Sequence, residues 1–135
     1  MRVLIDTNVL FSALYRSGSI SHQAYNKAIN PPYQAIVCDS SFDELYINFS
    51  EKFPELLETL VWFIETVKLV VETIPIPKVI HPDEAKIRDP DDAEIFRASI
   101  AANVDIIITG DLDLLESGIN APKIMKPNQF LMLND

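Results

Sequence analysis

Four acidic residues stand where a folded chain could bring them together. Asp6 directly follows the apolar triplet Val3-Leu4-Ile5, and Asp111 follows Ile106-Ile107-Ile108 after Thr109 and Gly110. Asp92 opens an alanine-rich stretch in the run Asp89-Pro90-Asp91-Asp92, and Glu44 comes shortly after the apolar run Ala35 to Cys38. Carboxylates gathered without counter-charge repel one another, and some take up protons. Divalent cations relieve that repulsion. An all-oxygen donor set favours Mg²⁺ or Mn²⁺ over zinc. Such a centre lowers the pKa of an attacking water and stabilises the leaving oxygen of a phosphodiester, so metal-dependent hydrolysis is the expected chemistry. His22 and His81 lie away from these acids in sequence. No Ser–His or Cys–His arrangement suggests a side-chain nucleophile.

The elements that must position these acids are legible in outline. Val3 to Ile5 and Ile106 to Ile108 are unbroken apolar runs, which read as strands buried on both faces of a parallel sheet. Ala35 to Cys38, Lys68 to Val71 and Lys123 to Met125 are further strand candidates. Helical patterns separate them. Ile20 to Asn30 ends at Pro31 and Pro32, and Ser41 to Phe49 puts Phe42, Leu45 and Phe49 on one face with Ser41 as cap. Pro54 suits a first helical position for a helix to Thr66. Asp89 caps a helix that runs to about Ala102, and a last helix is expected over Asn128 to Leu133. Pro75, Pro77 and Pro82 mark an irregular loop. Strands alternating with helices predict a three-layer α/β/α fold around a mostly parallel sheet, as one domain over residues 1–135. Ligands bind beyond the carboxyl ends of the strands in such sheets, and Asp6, Asp111, Glu44 and the first turn bearing Asp92 all fall on that edge.

Each acid also has a local explanation. Asp6 could begin a turn with Thr7 and Asn8. Glu44 falls three residues after Ser41, the spacing of a capping box. Asp92 could serve only the helix dipole, a role open equally to Asp89 and Asp91. Asp111 with Asp113 could be a polar turn before Leu114 and Leu115. It is their agreement on one edge of the sheet that argues for a site.

Composition sets outer bounds. With 48% hydrophobic residues, a conventional core is within reach for 135 residues. The formal net charge of −9 lacks the basic footprint of a protein that coats nucleic acid, but bound cations would offset part of it at a metal site. Cys38 is the one cysteine; it excludes an internal disulfide, fits a reducing, cytoplasmic setting, and reads as a buried inert thiol. Asp6 interrupts the apolar start at once, so no signal peptide is expected, and no apolar run is long enough to span a membrane.

The same residues resemble the PIN-domain nucleases, specifically the PIN-family toxins of prokaryotic toxin–antitoxin systems, over nearly the whole chain. Val3-Leu4-Ile5-Asp6-Thr7-Asn8-Val9-Leu10 resembles the family's first strand and its Asp-Thr-Asn signature. Arg88-Asp89-Pro90-Asp91-Asp92 is similar to the second signature, and Ile106 to Leu115, with Thr109-Gly110-Asp111-Leu112-Asp113, to the third and most specific. Glu44 takes the place of the family's helical glutamate. The resemblance implies a metal-binding and catalytic tetrad of Asp6, Glu44, Asp92 and Asp111, with Asp113 as an auxiliary acid. It also implies that Asn8 and Thr109 orient the carboxylates through hydrogen bonds. It further implies hydrolysis of single-stranded RNA and a cognate antitoxin partner, often with a basic tail.

Arg16, Lys52, Lys86 and Arg88 are candidate phosphate guides, and Tyr15 and Tyr46 candidate stacking surfaces for RNA bases. Leu56, Leu57, Leu60, Val61, Trp62, Phe63 and Ile64 cannot all face one core, which predicts a homodimer. Two other readings compete. A catalytically inactive PIN-like scaffold binding RNA or protein should have lost part of its carboxylate set. An aspartyl-phosphate enzyme should carry a second acid beside the first-strand Asp, where this chain has Thr7 and Asn8.

Overall fold

The apolar runs form the centre of a sheet. In the computed structural model, which describes residues 1–134, the chain runs β1 (Arg2–Ile5), α1 (Thr7–Tyr15), α2 (Ile20–Ala28), β2 (Gln34–Cys38), α3 (Asp39–Lys52), α4 (Leu57–Val70), β3 (Glu72–Ile74), α5 (Pro90–Ala101), β4 (Ile106–Ile108), α6 (Leu112–Leu115), β5 (Lys123–Met125) and α7 (Pro127–Leu131). Asp135, the last residue of the expected domain, lies outside the described residues. The five strands pair in the order β3-β2-β1-β4-β5, and every pairing is parallel. The direction of winding reverses between β1 and β4, and such a switch point opens a crevice at the carboxyl edge of the sheet.

Alternation along the strands divides the core between two layers. Val3, Ile5, Val37 and Ile108 face one side, where Leu10, Tyr25, Leu45, Phe49, Leu60 and Phe130 cover them. Leu4, Ile36 and Ile107 face the other, under Ile95 and Ala98 of α5. Phe96 and Leu114 extend that second layer towards α6. The expected three-layer α/β/α arrangement is therefore present, with a sheet that is parallel throughout.

Several boundaries differ from the sequence expectation. Lys68 to Val71 is not a strand. α4 continues through Val70 because Leu60, Ile64 and Val67 bury one helical stripe, and β3 begins only at Glu72. The Pro54–Thr66 helix is a short 3-10 turn, Pro54–Leu56, followed by α4. Ser41 does not cap α3, which starts at Asp39; its buried hydroxyl instead accepts from Thr7 Oγ1 at 2.7 Å. α1 and α6 were not foreseen. The proline-rich connection before α5 contains a 3-10 turn, Pro82–Lys86. It is clasped to α5 by Arg97, whose guanidinium donates to both Glu84 oxygens at 2.9 and 2.8 Å and to the Pro77 carbonyl at 2.8 Å.

Candidate metal centre

Asp6 and Asp111 leave the two strands that flank the switch point. Ile5 pairs with Ile108, so the residues beyond them emerge side by side, and the Asp6 N–H donates to the Ile108 carbonyl at 3.0 Å. Asp6 is the N-cap of α1, accepting the Thr7 N–H on Oδ1 at 2.8 Å. Its Oδ2 accepts the Thr109 hydroxyl at 2.7 Å. That same hydroxyl oxygen accepts the Asp111 N–H at 3.0 Å, so one buried threonine sets both acids. Burial pushes the Asp6 carboxyl above the usual carboxylate range, against the hydrogen bonds from Thr109 and Thr7, and the Asp111 and Asp89 charges push the same way.

The helix α5 brings the second group. Asp89 is its N-cap, accepting the Asp91 N–H at 2.8 Å, and Pro90 takes the first helical position. One turn on, Asp92 is buried, and its Oδ2 has no hydrogen-bond partner. Its pKa is pushed up to about 8, first by burial, then by a close approach to the Asp111 carboxyl and by the charges of Asp111, Asp6 and Asp89. Asp89, Asp92 and Asp113 each offer an oxygen within 4.8 Å of the others. Asp113 lies in the first turn of α6, where its N–H donates to Oδ1 of the capping Asp111 at 3.2 Å. Arg88 Nη2 rests on Asp113 Oδ1 at 2.9 Å.

Glu44 enters from α3. Burial raises its pKa, a hydrogen bond from Thr7 opposes the rise, and the charges of Asp91, Asp6 and Glu94 add to it. Thr7 thus stands between Glu44 and the buried Ser41. Cys38 lies beneath, at the start of α3, with its thiol pushed up to about 12 by burial and by surrounding acids. A thiol so held stays protonated and is no nucleophile.

The structure gathers Asp6, Glu44, Asp92, Asp111 and Asp113 at one edge. Asn8 is exposed, with no hydrogen bond to the carboxylates among the described residues; Thr7, one residue earlier, is buried, and its hydroxyl bonds to Ser41 beside Glu44. Asp89, read from sequence only as a cap, is a member of the cluster as well. The three-residue spacing of Asp89 and Asp92 puts both on one side of the first helical turn, a signal available in the sequence. A cavity of about 660 Å³ lies away from this edge, lined by Met1, Asn103 and Asp105 among others, and none of these acids lines it. The donor set fits a hard divalent cation. Every gathered atom is a carboxylate oxygen, and a buried oxygen without a partner carries a cost that an ion would remove.

Among the described residues no helix is long and apolar enough to cross a membrane. No curated protein matches the sequence. Among solved structures, the chain is similar in fold to VapBC2 from Rickettsia felis bound to a DNA fragment from their promoter. The TM-score is 0.70 at 13% identity, over 93% of this chain and 98% of that one. It is also similar to the sarcin–ricin loop cleaving toxin VapC20 of Mycobacterium tuberculosis, with a TM-score of 0.59 at 16% identity, over 87% and 95% of the two chains. The family model described as a PIN domain matches residues 2–113, which span every acid of the cluster. The chain therefore belongs to the PIN-domain family.

Proposed function

We propose that this chain is a Mg²⁺- or Mn²⁺-dependent endoribonuclease that hydrolyses single-stranded RNA, and that it is the toxin of a toxin–antitoxin pair. The observation that carries the reading is the buried, unpartnered Oδ2 of Asp92 inside a ring of carboxylates at the switch point. Asp6, Asp92 and Asp111 would hold the first ion, and Asp113, with Asp89, a second ion or its water shell. When bound, the metal supplies an acidified water and neutralises charge on the leaving oxygen. Glu44, whose pKa is raised by burial, would orient the attacking water and accept its proton. Thr109 and Thr7 hold Asp6 and Glu44 in place.

Membership of the PIN-domain family and a fold shared with a loop-cleaving toxin and a toxin–antitoxin complex support this reading. A cognate antitoxin with a basic segment suits a chain of net charge −9. The chain acts as one domain over residues 1–135, as a homodimer in the cytoplasm. The dimer is supported by Trp62 and Leu69 of α4, 67% and 86% exposed. The test is cleavage of a mixed single-stranded RNA pool with Mg²⁺ or Mn²⁺, beside EDTA and an Asp6→Asn control. Metal-dependent cutting lost in the variant supports the proposal. Neither cutting nor Mn²⁺ binding by calorimetry would leave a PIN-like scaffold instead.

A further inference from the structure

We propose that Arg88 is the substrate-phosphate contact of this site and that, without nucleic acid, its guanidinium is parked on Asp113 in competition with the metal. The inference rests on the nuclease reading and adds to it the link between loading the ion and seating the substrate. Arg88 immediately precedes Asp89, and its Nη2 lies 2.9 Å from Asp113 Oδ1. Asp113 in turn offers an oxygen within 4.8 Å of Asp89 and Asp92. A guanidinium is thus already seated at the mouth of the acidic cluster. Its own side chain is 74% exposed, so it is free to swing.

The other basic candidates are placed differently. Arg16 closes the far end of α1 and Lys52 the far end of α3, helices that begin at the site and run away from it. At a rise of about 1.5 Å per residue, those ends lie roughly 14–20 Å along the axes. Lys52 also sits over the Phe11 ring at 5.3 Å, and Lys86 pairs with Asp83 at 3.7 Å.

Charge dictates the chemistry. A divalent ion among Asp89, Asp92 and Asp113 repels a guanidinium held on the same carboxylate, and an exposed ion pair is weak enough to yield. A phosphate of the entering strand is then an anion able to receive Arg88. Arginine's planar fork matches phosphate in two-point contact. Metal therefore releases the arginine, and the substrate captures it.

The test compares the intact chain with Arg88→Gln and Arg88→Lys. Mn²⁺ affinity is measured by calorimetry. Binding of a labelled single-stranded oligoribonucleotide is measured by anisotropy with Ca²⁺, across a series of KCl concentrations. Losing an exposed ion pair of ordinary strength should tighten Mn²⁺ binding in Arg88→Gln by up to about fivefold. The same variant should bind RNA more weakly, and its slope of log K against log salt should shrink by about 0.7. Arg88→Lys should keep the salt slope and part of the affinity. Unchanged or weaker Mn²⁺ binding in Arg88→Gln overturns the competition, and unchanged RNA affinity and slope overturn the phosphate contact. Either result on a parent chain that binds metal and RNA defeats this inference alone. A parent chain that binds neither defeats the nuclease reading, and this inference with it.

Discussion

The Thr109 hydroxyl donates to Asp6 Oδ2 across 2.7 Å and so ties together the ends of the two strands that flank the switch point. Thr109→Val keeps the shape of the side chain and removes both the donor to Asp6 and the acceptor for the Asp111 N–H. Loss of such an orienting partner should weaken Mn²⁺ binding by about 10–100-fold, read by calorimetry. Unaltered affinity would show that Asp6 does not need Thr109 to bind an ion.

Asp89 serves two roles that substitution can separate. Asn caps helices about as well as Asp but brings no charge, so Asp89→Asn should melt close to the parent while binding Mn²⁺ on the order of tenfold more weakly. Asp89→Ala should lose about 1 kcal/mol of stability in addition, measured by denaturant titration. Equal metal affinity in parent and Asp89→Asn would reduce Asp89 to a cap.

The Asp92 carboxyl, raised to about pH 8, gives a pH dependence with a definite sign. Unfolded, it ionises near pH 4; folded and metal-free, it keeps its proton up to about 8. Its stabilising contribution is therefore complete in acid and lost as pH rises between those values. Metal binding requires the deprotonated form, so added Mn²⁺ should raise the Tm more at pH 8 than at pH 5. Asp92→Asn should remove that metal response and raise the metal-free Tm at pH 8. A Mn²⁺ shift that is the same at both pH values would contradict this account.

The Glu84–Arg97 clasp carries the opposite sign. The Arg97 guanidinium holds the Glu84 carboxyl below the usual carboxylate range, so its contribution is present at neutral pH and lost as acid takes it through that depressed value. Glu84→Gln should lower the Tm at pH 7 by roughly 5 °C, and the difference should narrow in acid. A gap that widens on acidification would show that something other than this ion pair holds the connection before α5.

The exposed face of α4 predicts self-association. Trp62→Glu should convert a dimer to a monomer by light scattering and leave the Tm within a few degrees, because Trp62 is 67% exposed. A parent chain that is already monomeric would remove the homodimer from the proposal.

The central strands were legible because Val3 to Ile5, Ala35 to Cys38 and Ile106 to Ile108 are unbroken apolar runs that suit a sheet covered on both sides. The start of α5 was legible for chemical reasons, with a capping Asp followed by Pro at the first helical position. Lys68 to Val71 misled because a short apolar, β-branched run fits either the end of a buried helix or a strand, and only the stripe through Leu60, Ile64 and Val67 decides between them. α1 was hidden because Asp-Thr-Asn reads as a turn until Asp6 is seen to cap a helix beginning at Thr7. In the site, Asp6 and Asp111 could be placed from their strands, and Asp92 from its helix. The Thr7–Ser41 hydrogen bond spans 34 residues and depends on how α1 and α3 pack, which no local pattern encodes.

The strand order also governs when the molecule can exist during synthesis. β1 is made first, yet its neighbour on one side is β4, made roughly a hundred residues later. Until β4 arrives, Val3 to Ile5 form an open edge, the kind of surface on which chains aggregate. For the same interval Asp6 lacks Thr109, Asp111 and Asp113. A nascent chain short of β4 therefore has an open β1 edge and an incomplete carboxylate cluster; β4 covers that edge, and the residues directly after it complete the cluster.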